Sequence, residues 1–353
     1  MNIKQNTLML AGLLIFASCK EKEPVITDPN MPKKVLTDLP SKVFTENMFD
    51  LSSKAGALYR SVETLVQASN DVNLAAAQKD WYETRKAWEQ SEAFLFGPVA
   101  DKGYDPAIDS WPVNFVEIDS VLNSSSAFSD AYIIGLGNTL KGFHPIEYML
   151  FSTGKSRKAT DLTQRQKDYL FALTKNLWYT TQEMYNSWAT AGGNFIGQMQ
   201  QAGTGTSTYK TRKDAFIEIA NAATGIVDEV SAAKIGEPFT AQDSMLEESP
   251  FSSNSWADFT NNLQGVKNVY FGTYSQDGLG LHDFVTLHDK SLDLKIQQKL
   301  DAAINNLKAY TTRFGRAIFT EPAAVQSTQT VLNDLKKVLE DELVPLMQLK
   351  VID

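Results

Sequence analysis

Cysteine and histidine are nearly absent from this 353-residue sequence, which has one Cys, Cys19, and three His, His144, His282 and His288. A single thiol cannot form an internal disulfide, and Cys-x-x-Cys metal or redox motifs are excluded with it. No His-Glu-x-x-His pair, Gly-x-Ser-x-Gly elbow or G-x-x-x-x-G-K-[ST] phosphate loop occurs. Positive charge is short as well. There are 33 Lys and Arg against 42 Asp and Glu, a formal net charge of −9 and a pI near 5.0. That balance argues against nucleic acid as a partner and against a basic membrane-facing patch. Alternating runs long enough for a sheet are missing, and no apolar stretch after the N-terminal region has transmembrane length.

The N-terminus carries the first positive signal. Met1 to Thr7 is polar with one charge at Lys4, Leu8 to Ala17 is apolar, and Ala17 and Ser18 lead into Cys19. A basic start, a short apolar core and a small-residue exit make a secretory signal peptide over 1–18. A lone Cys directly after it fits a bacterial lipobox, although Phe16 stands where Leu is commoner. The alternative is an ordinary cleaved signal with an incidental Cys. The lipobox reading predicts lipidation of Cys19 and a membrane partner through that anchor. It also predicts a cell-envelope location, lipid-anchored to the outer membrane on the periplasmic or cell-surface side. Residues 19–40, with Pro24, Pro29, Pro32 and Pro40 and few large apolar side chains, read as the lipidated Cys and a flexible tether.

Helical periodicity dominates the rest. Apolar residues at i, i+3, i+4 and i+7 predict helices over 43–68, 74–96, 169–190, 209–230, 256–270, 292–319 and 323–349. The fold class is therefore all-α. Gly97-Pro98 ends the second of these helices. Irregular structure is expected over 101–114, a linker over 191–207 and an acidic loop over 238–250. A trace of repetition divides the chain: Phe96-Gly97 precedes Gly142-x-His144, and Phe271-Gly272 precedes Gly280-x-His282. The expected architecture is two pseudo-repeated up-down helical bundle halves packed side by side, 41–195 and 196–353.

His144 and Glu147 stand at i, i+3, where an imidazole and a carboxylate on one helix face can reach one metal ion. Further ligands would come from Glu89 and Glu92 or from Asp105 and Asp109. A structural reading competes. With Pro145 as the first helical residue, Glu147 falls at the third and closes a capping box. Trp88 follows helical spacing. Trp111, in Ile108 to Asn114, either plugs its loop or lines a pocket.

Gly142-Phe143-His144-Pro145-Ile146-Glu147 resembles the G-x-H-x-x-E motif of the imelysin-like family. Arg85 to Pro98, Ile108 to Pro112 and Ser255 to Gly272 also resemble that family, in the expected order along the mature chain. The resemblance implies an exported, often lipidated helical protein of two bundle-like halves, acting in iron uptake. It implies iron or another divalent metal, or an iron chelate, as ligand, with other iron-uptake components as partners. The motif positions carried over are Gly142, His144 and Glu147. Trp88, Glu92, Asp109 and Trp111 are added as the pocket wall. Val285 and Lys267 stand where the second half would need carboxylates, so that half is expected to supply only a wall. A binding protein is favoured over an enzyme. The rival is a zinc-type metallopeptidase using His144 and Glu147, which lacks a second nearby imidazole. A third reading is a surface scaffold.

Overall fold

The computed structural model describes residues 28–353 except residue 206. The segment read as a signal peptide, Cys19 and the start of the expected tether lie outside the described residues. Among the described residues the secondary structure is helical, apart from one isolated bridge between Thr273 and Asp277. The longer helices, with three shorter ones that matter below, are α1 (Met31–Asp38), α2 (Thr45–Gln67), α3 (Asp71–Ser91), α4 (Phe143–Phe151), α5 (Gln164–Trp188), α6 (Arg212–Glu229), α7 (Ser255–Phe271), α8 (Leu281–His288), α9 (Lys290–Lys308) and α10 (Pro322–Val338). None is long and apolar enough to cross a membrane.

Local chemistry sets several helix starts. Thr163 and Thr211 open α5 and α6 with capping boxes completed by Gln166 and Asp214. The Asn70 side chain accepts from the Asn73 amide at the head of α3. Packing then orders the helices. α2 runs along α3 and α5, α3 crosses α7, and α7 continues on to α9 and α9 on to α10. At the α3–α7 crossing, Gly265 lets the backbones meet: a Cβ there would stand 2.3 Å from the Gln90 carbonyl oxygen. One contiguous apolar core includes Trp81, Trp88 and Trp188 from the first part of the chain and Phe216, Phe259 and Leu300 from the second.

Three expectations change. Residues 31–40, assigned to the tether, form α1 and the head of a π-helical segment, Leu39–Phe44. Pro32 occupies the first turn, where no amide is needed, and Val35, Leu36 and Leu39 are buried. The helix read over 292–319 is interrupted, with α9 ending at Lys308 and a short helix following at Phe314–Thr320. Tyr310 in the break stacks on Trp256 with centroids 3.8 Å apart, and Trp256 Nε1 donates to the Thr312 carbonyl. These contacts draw the chain out of helix. The segments expected to be irregular over 101–114 and 191–207 contain short helices, Tyr104–Ile108 and Phe195–Gln200, because apolar side chains in each are buried. Both Gly-x-His steps open helices, Gly142 before α4 and Gly280 before α8.

Candidate functional site

Helix α3 and the turn after it place Arg85, Trp88, Glu89 and Glu92 together, and all four are buried. Arg85 is the hub. Its Nη1 contacts Asp109 Oδ1 and its Nη2 contacts Glu248 Oε1. Glu89 Oε1 lies 2.5 Å from Nη2, and Asp258 Oδ1 lies 3.8 Å from Nε. Lys234 enters from a π-helical segment, Val230–Ile235. Its Nζ stands 2.8 Å from Glu92, 3.3 Å from Glu89 and 3.5 Å from Glu248. Asn262 on α7 donates to both Glu89 and Glu92. Trp88 Nε1 donates to Asp109 Oδ2 at 2.5 Å.

His144 joins this cluster from α4. Its Nε2 is 3.0 Å from Asp109 Oδ1 and its Nδ1 is 3.8 Å from Glu147 Oε2, but neither ring nitrogen has an aligned hydrogen-bond partner. Gly142 makes the approach feasible. Its φ is +85°, and a Cβ there would stand 2.1 Å from the Ile108 carbonyl oxygen. The start of α4 therefore presses on the residue just before Asp109.

The capping reading of Glu147 fails. Helix α4 begins at Phe143, so Glu147 is its fifth residue and Pro145 its third. Glu147 Oε1 instead accepts from Phe251 N at 3.1 Å, Ser252 N at 2.7 Å and Ser252 Oγ at 2.6 Å. These bonds clamp α4 to residues 247–255. In that strip Glu247 accepts from Ser255 Oγ, while Asp258 accepts from Ser249 Oγ and Asn254 Nδ2.

The charge balance is unusual. Glu89, Glu92, Asp109, Glu147, Glu248 and Asp258 are all buried, and among the described residues their close ion-pair partners are Arg85, Lys234 and the His144 imidazole. Burial disfavours such an excess. Burial and then the Glu89 charge push the Glu92 and Asp258 carboxyls well up, and burial raises Glu248. Burial also acts upward on Asp109, but Arg85 and His144 hold it far below the usual carboxylate range. Burial pulls His144 down, yet Asp109 and Glu147 outweigh it and push the imidazole up to about 9. Asp105 sits at the edge of this field, raised by burial and by Asp109 to about 7.

Two groups bring ligand atoms within 4.8 Å of one another, Asp109–His144–Glu248 and Glu89–Glu92–Asp109. The first suits a transition metal, with one imidazole and two carboxylates. Its 3.0 Å His–Asp separation without an aligned hydrogen bond matches two ligands at roughly 2.1 Å from a shared ion. His144 Nδ1 and Nε2 and Glu248 Oε2 are buried without hydrogen-bond partners, and the imidazole would ligate on giving up its proton to an arriving cation. A cavity of about 130 Å³ reaches His144 and Glu248, walled by Trp111, Val113, Phe115, Leu246 and Phe251. Trp111 thus lines a pocket, its ring centroid 6.1 Å from His144.

Trp88, Glu92, Asp109, Trp111, Gly142, His144 and Glu147 all come together here. Reading the sequence missed Arg85, Lys234, Glu248, Asp258 and Asn262. Four of these five come from the C-terminal part of the chain, so the expectation that it supplies only a wall is corrected: it brings buried charges, among them a carboxylate that could hold a metal ion. A lone Lys between Ala233 and Ile235 and the Glu247-Glu248 pair were the available signals. The other histidines sit elsewhere: His282 Nδ1 is 2.6 Å from Asp293 Oδ1, and His288 packs on Phe284.

Fold and site define a helical protein built round a buried carboxylate centre with a single imidazole. Residues 47–341 match the sequence model of imelysin (Peptidase M75), and the chain belongs to that family. It is 27% identical to "Iron-regulated protein A" of Synechococcus elongatus, covering 95% of this chain and 90% of that protein. Two crystal structures share the fold. One, from Parabacteroides distasonis and named as an iron-regulated protein A precursor, gives a TM-score of 0.83 at 24% identity, over 91% of this chain and 96% of that one. The other, an imelysin-like protein from Psychrobacter arcticum, gives 0.73 at 13% identity, over 93% and 98%.

Proposed function

We propose that this protein is a non-enzymatic cell-envelope lipoprotein of iron acquisition that binds a metal ion, or the metal of a chelate, around His144. Asp109, His144 and Glu248 would ligate, and Glu147 would hold α4 in place through its bonds to residues 251 and 252. The observation that carries this reading is the set of fully buried, unpartnered donor atoms on His144 and Glu248 at the end of a cavity. Buried polar atoms without partners are costly, and a cation would satisfy them. Iron as the cargo, or another divalent metal, draws support from the name of the Synechococcus relative. Anchoring through Cys19 to the outer membrane, and contact with other uptake components, draw on the N-terminal sequence and the family resemblance. Two related halves meeting at the site remain part of the reading, supported by the two Gly-x-His helix starts.

The peptidase alternative is less well supported. Glu147 Oε1 is saturated by three hydrogen bonds, and both metal-capable groups together contain one imidazole. Calorimetric titration with ferrous, ferric and zinc ions tests the proposal. Wild type should bind at least one of them, and His144→Ala and Asp109→Asn should weaken that binding at least about tenfold. Absence of binding by wild type would overturn it.

A further inference from the structure

Lys234 has no part in the proposed ligation at the His144 centre. Its ammonium is fully buried among Glu92, Glu89 and Glu248, at 2.8, 3.3 and 3.5 Å. Two features mark this as a cation seat rather than an ordinary ion pair. The acceptors around it exceed what one ammonium satisfies: Asn262 also donates to Glu89 and Glu92, and Glu248 Oε2, fully buried, still has no partner. The seat also adjoins the His144 centre. Oxygens of Glu89 and Glu92 lie within 4.8 Å of Asp109, and Asp109 and Glu248 stand in the same relation to His144. Lys234 rides on a π-helical turn, a local irregularity in the helix, and its stem is a flexible four-carbon chain.

We propose that Lys234 is a tethered counter-ion occupying a second cation position, formed by Glu89, Glu92 and Glu248, where it competes with a divalent cation. This rests on the reading of the His144 centre as a cation site and adds the residue that sets how many cations that centre holds. With the ammonium seated, the carboxylates stay gathered and one cation binds at Asp109–His144–Glu248. With it removed, Glu89 and Glu92 become oxygen ligands for a second ion in the seat, with Glu248 and the neighbouring Asp109 at hand to complete it. Replacing one positive charge by two moves this carboxylate-rich interior toward neutrality. An all-oxygen seat suits Mn²⁺ or Mg²⁺ better than a thiophilic ion.

The test uses the purified protein as wild type, Lys234→Ala, Lys234→Arg and Lys234→Ala/Glu92→Gln. Mn²⁺ is titrated by calorimetry, and melting is followed with MnCl₂, propylammonium chloride or NaCl at matched ionic strength. Lys234→Ala should take one Mn²⁺ more than wild type, and Lys234→Arg should match wild type. The added Glu92→Gln change should remove the extra equivalent. Mn²⁺ and propylammonium should both raise the melting temperature of Lys234→Ala, and NaCl should not. If Lys234→Ala is unfolded, refolding induced by either cation reads the same property. Equal stoichiometry in wild type and Lys234→Ala, or no rescue by either cation, overturns the proposal. Wild type binding one ion with no gain in the variant leaves the His144 reading intact and removes this one. Binding by the variant alone does the reverse.

Discussion

Replacing Glu147 by Ala should destabilise the protein by about 3–5 kcal/mol, because it removes three hydrogen bonds and strands two buried backbone amides. The structure provides the count. One carboxylate oxygen takes two backbone amides, Phe251 N and Ser252 N, and one hydroxyl, Ser252 Oγ, all within 3.1 Å. Hydrogen bonds to a charged acceptor contribute roughly 1.5–3 kcal/mol each, and a stranded buried amide costs roughly 1–3 kcal/mol. The total is less than the sum because Glu147 Oε2 is itself unpartnered and its removal relieves the interior. Glu147→Gln keeps an acceptor and should cost about 1–2 kcal/mol. Ser252→Ala removes only the hydroxyl, so the cycle with Glu147→Ala should show coupling of about 1 kcal/mol or more. Urea unfolding followed by circular dichroism measures all three, with the midpoint shift read at constant slope. Loss of under about 1 kcal/mol in Glu147→Ala would refute the clamp and return Glu147 to a purely ligating part.

Gly142→Ala should cost about 2–4 kcal/mol, since it combines a positive φ with a Cβ 2.1 Å from the Ile108 carbonyl oxygen; urea titration and loss of metal binding report it. Trp88→Phe should cost roughly 1–3 kcal/mol by stranding Asp109 Oδ2, with little change in core volume. Glu247 is lifted by burial to about 7, above its ordinary range, so the stability it contributes is present at low pH and lost as pH rises from about 4.5 through 7. Glu247→Gln should therefore gain roughly 2–3 kcal/mol over wild type at pH 8 and nothing at pH 4 in paired urea titrations. Cys19→Ser should release the protein from membranes and abolish labelled palmitate incorporation; unchanged membrane retention would sink the lipoprotein reading.

The periodic part of the fold was legible because amphipathic spacing is local information. The helices around 45–67, 71–91 and 255–271 lie close to where their apolar residues predicted them. The break after Lys308 was hidden, since it depends on Trp256 stacking on Tyr310 from a distant helix. The same division runs through the site. Trp88, Glu92, Asp109, His144 and Glu147 were visible because they sit in motifs. Arg85 lay inside one of those motifs but read as an ordinary charged helix residue. Lys234 and Glu248 were invisible because nothing in their own segments says which distant carboxylates they meet. The assignment of Glu147 as a cap failed for a related reason: the tight approach of Gly142 to Ile108 moves the helix start ahead of Pro145.

The clamp and the charge cluster also bear on when the site exists. Arg85 and Glu248 are 163 residues apart, Glu89 and Asn262 173, and Glu147 and Ser252 105. Contacts of such separation exist only once distant parts of the chain have come together, at the cost of closing long loops. A polypeptide that stops short of Glu248 carries Arg85 and Glu89 of α3 without their distant partners Glu248 and Asn262. The proposed cation site would thus belong to the folded chain and to no fragment of it, because its three groups, Asp109, His144 and Glu248, are contributed by segments far apart in sequence.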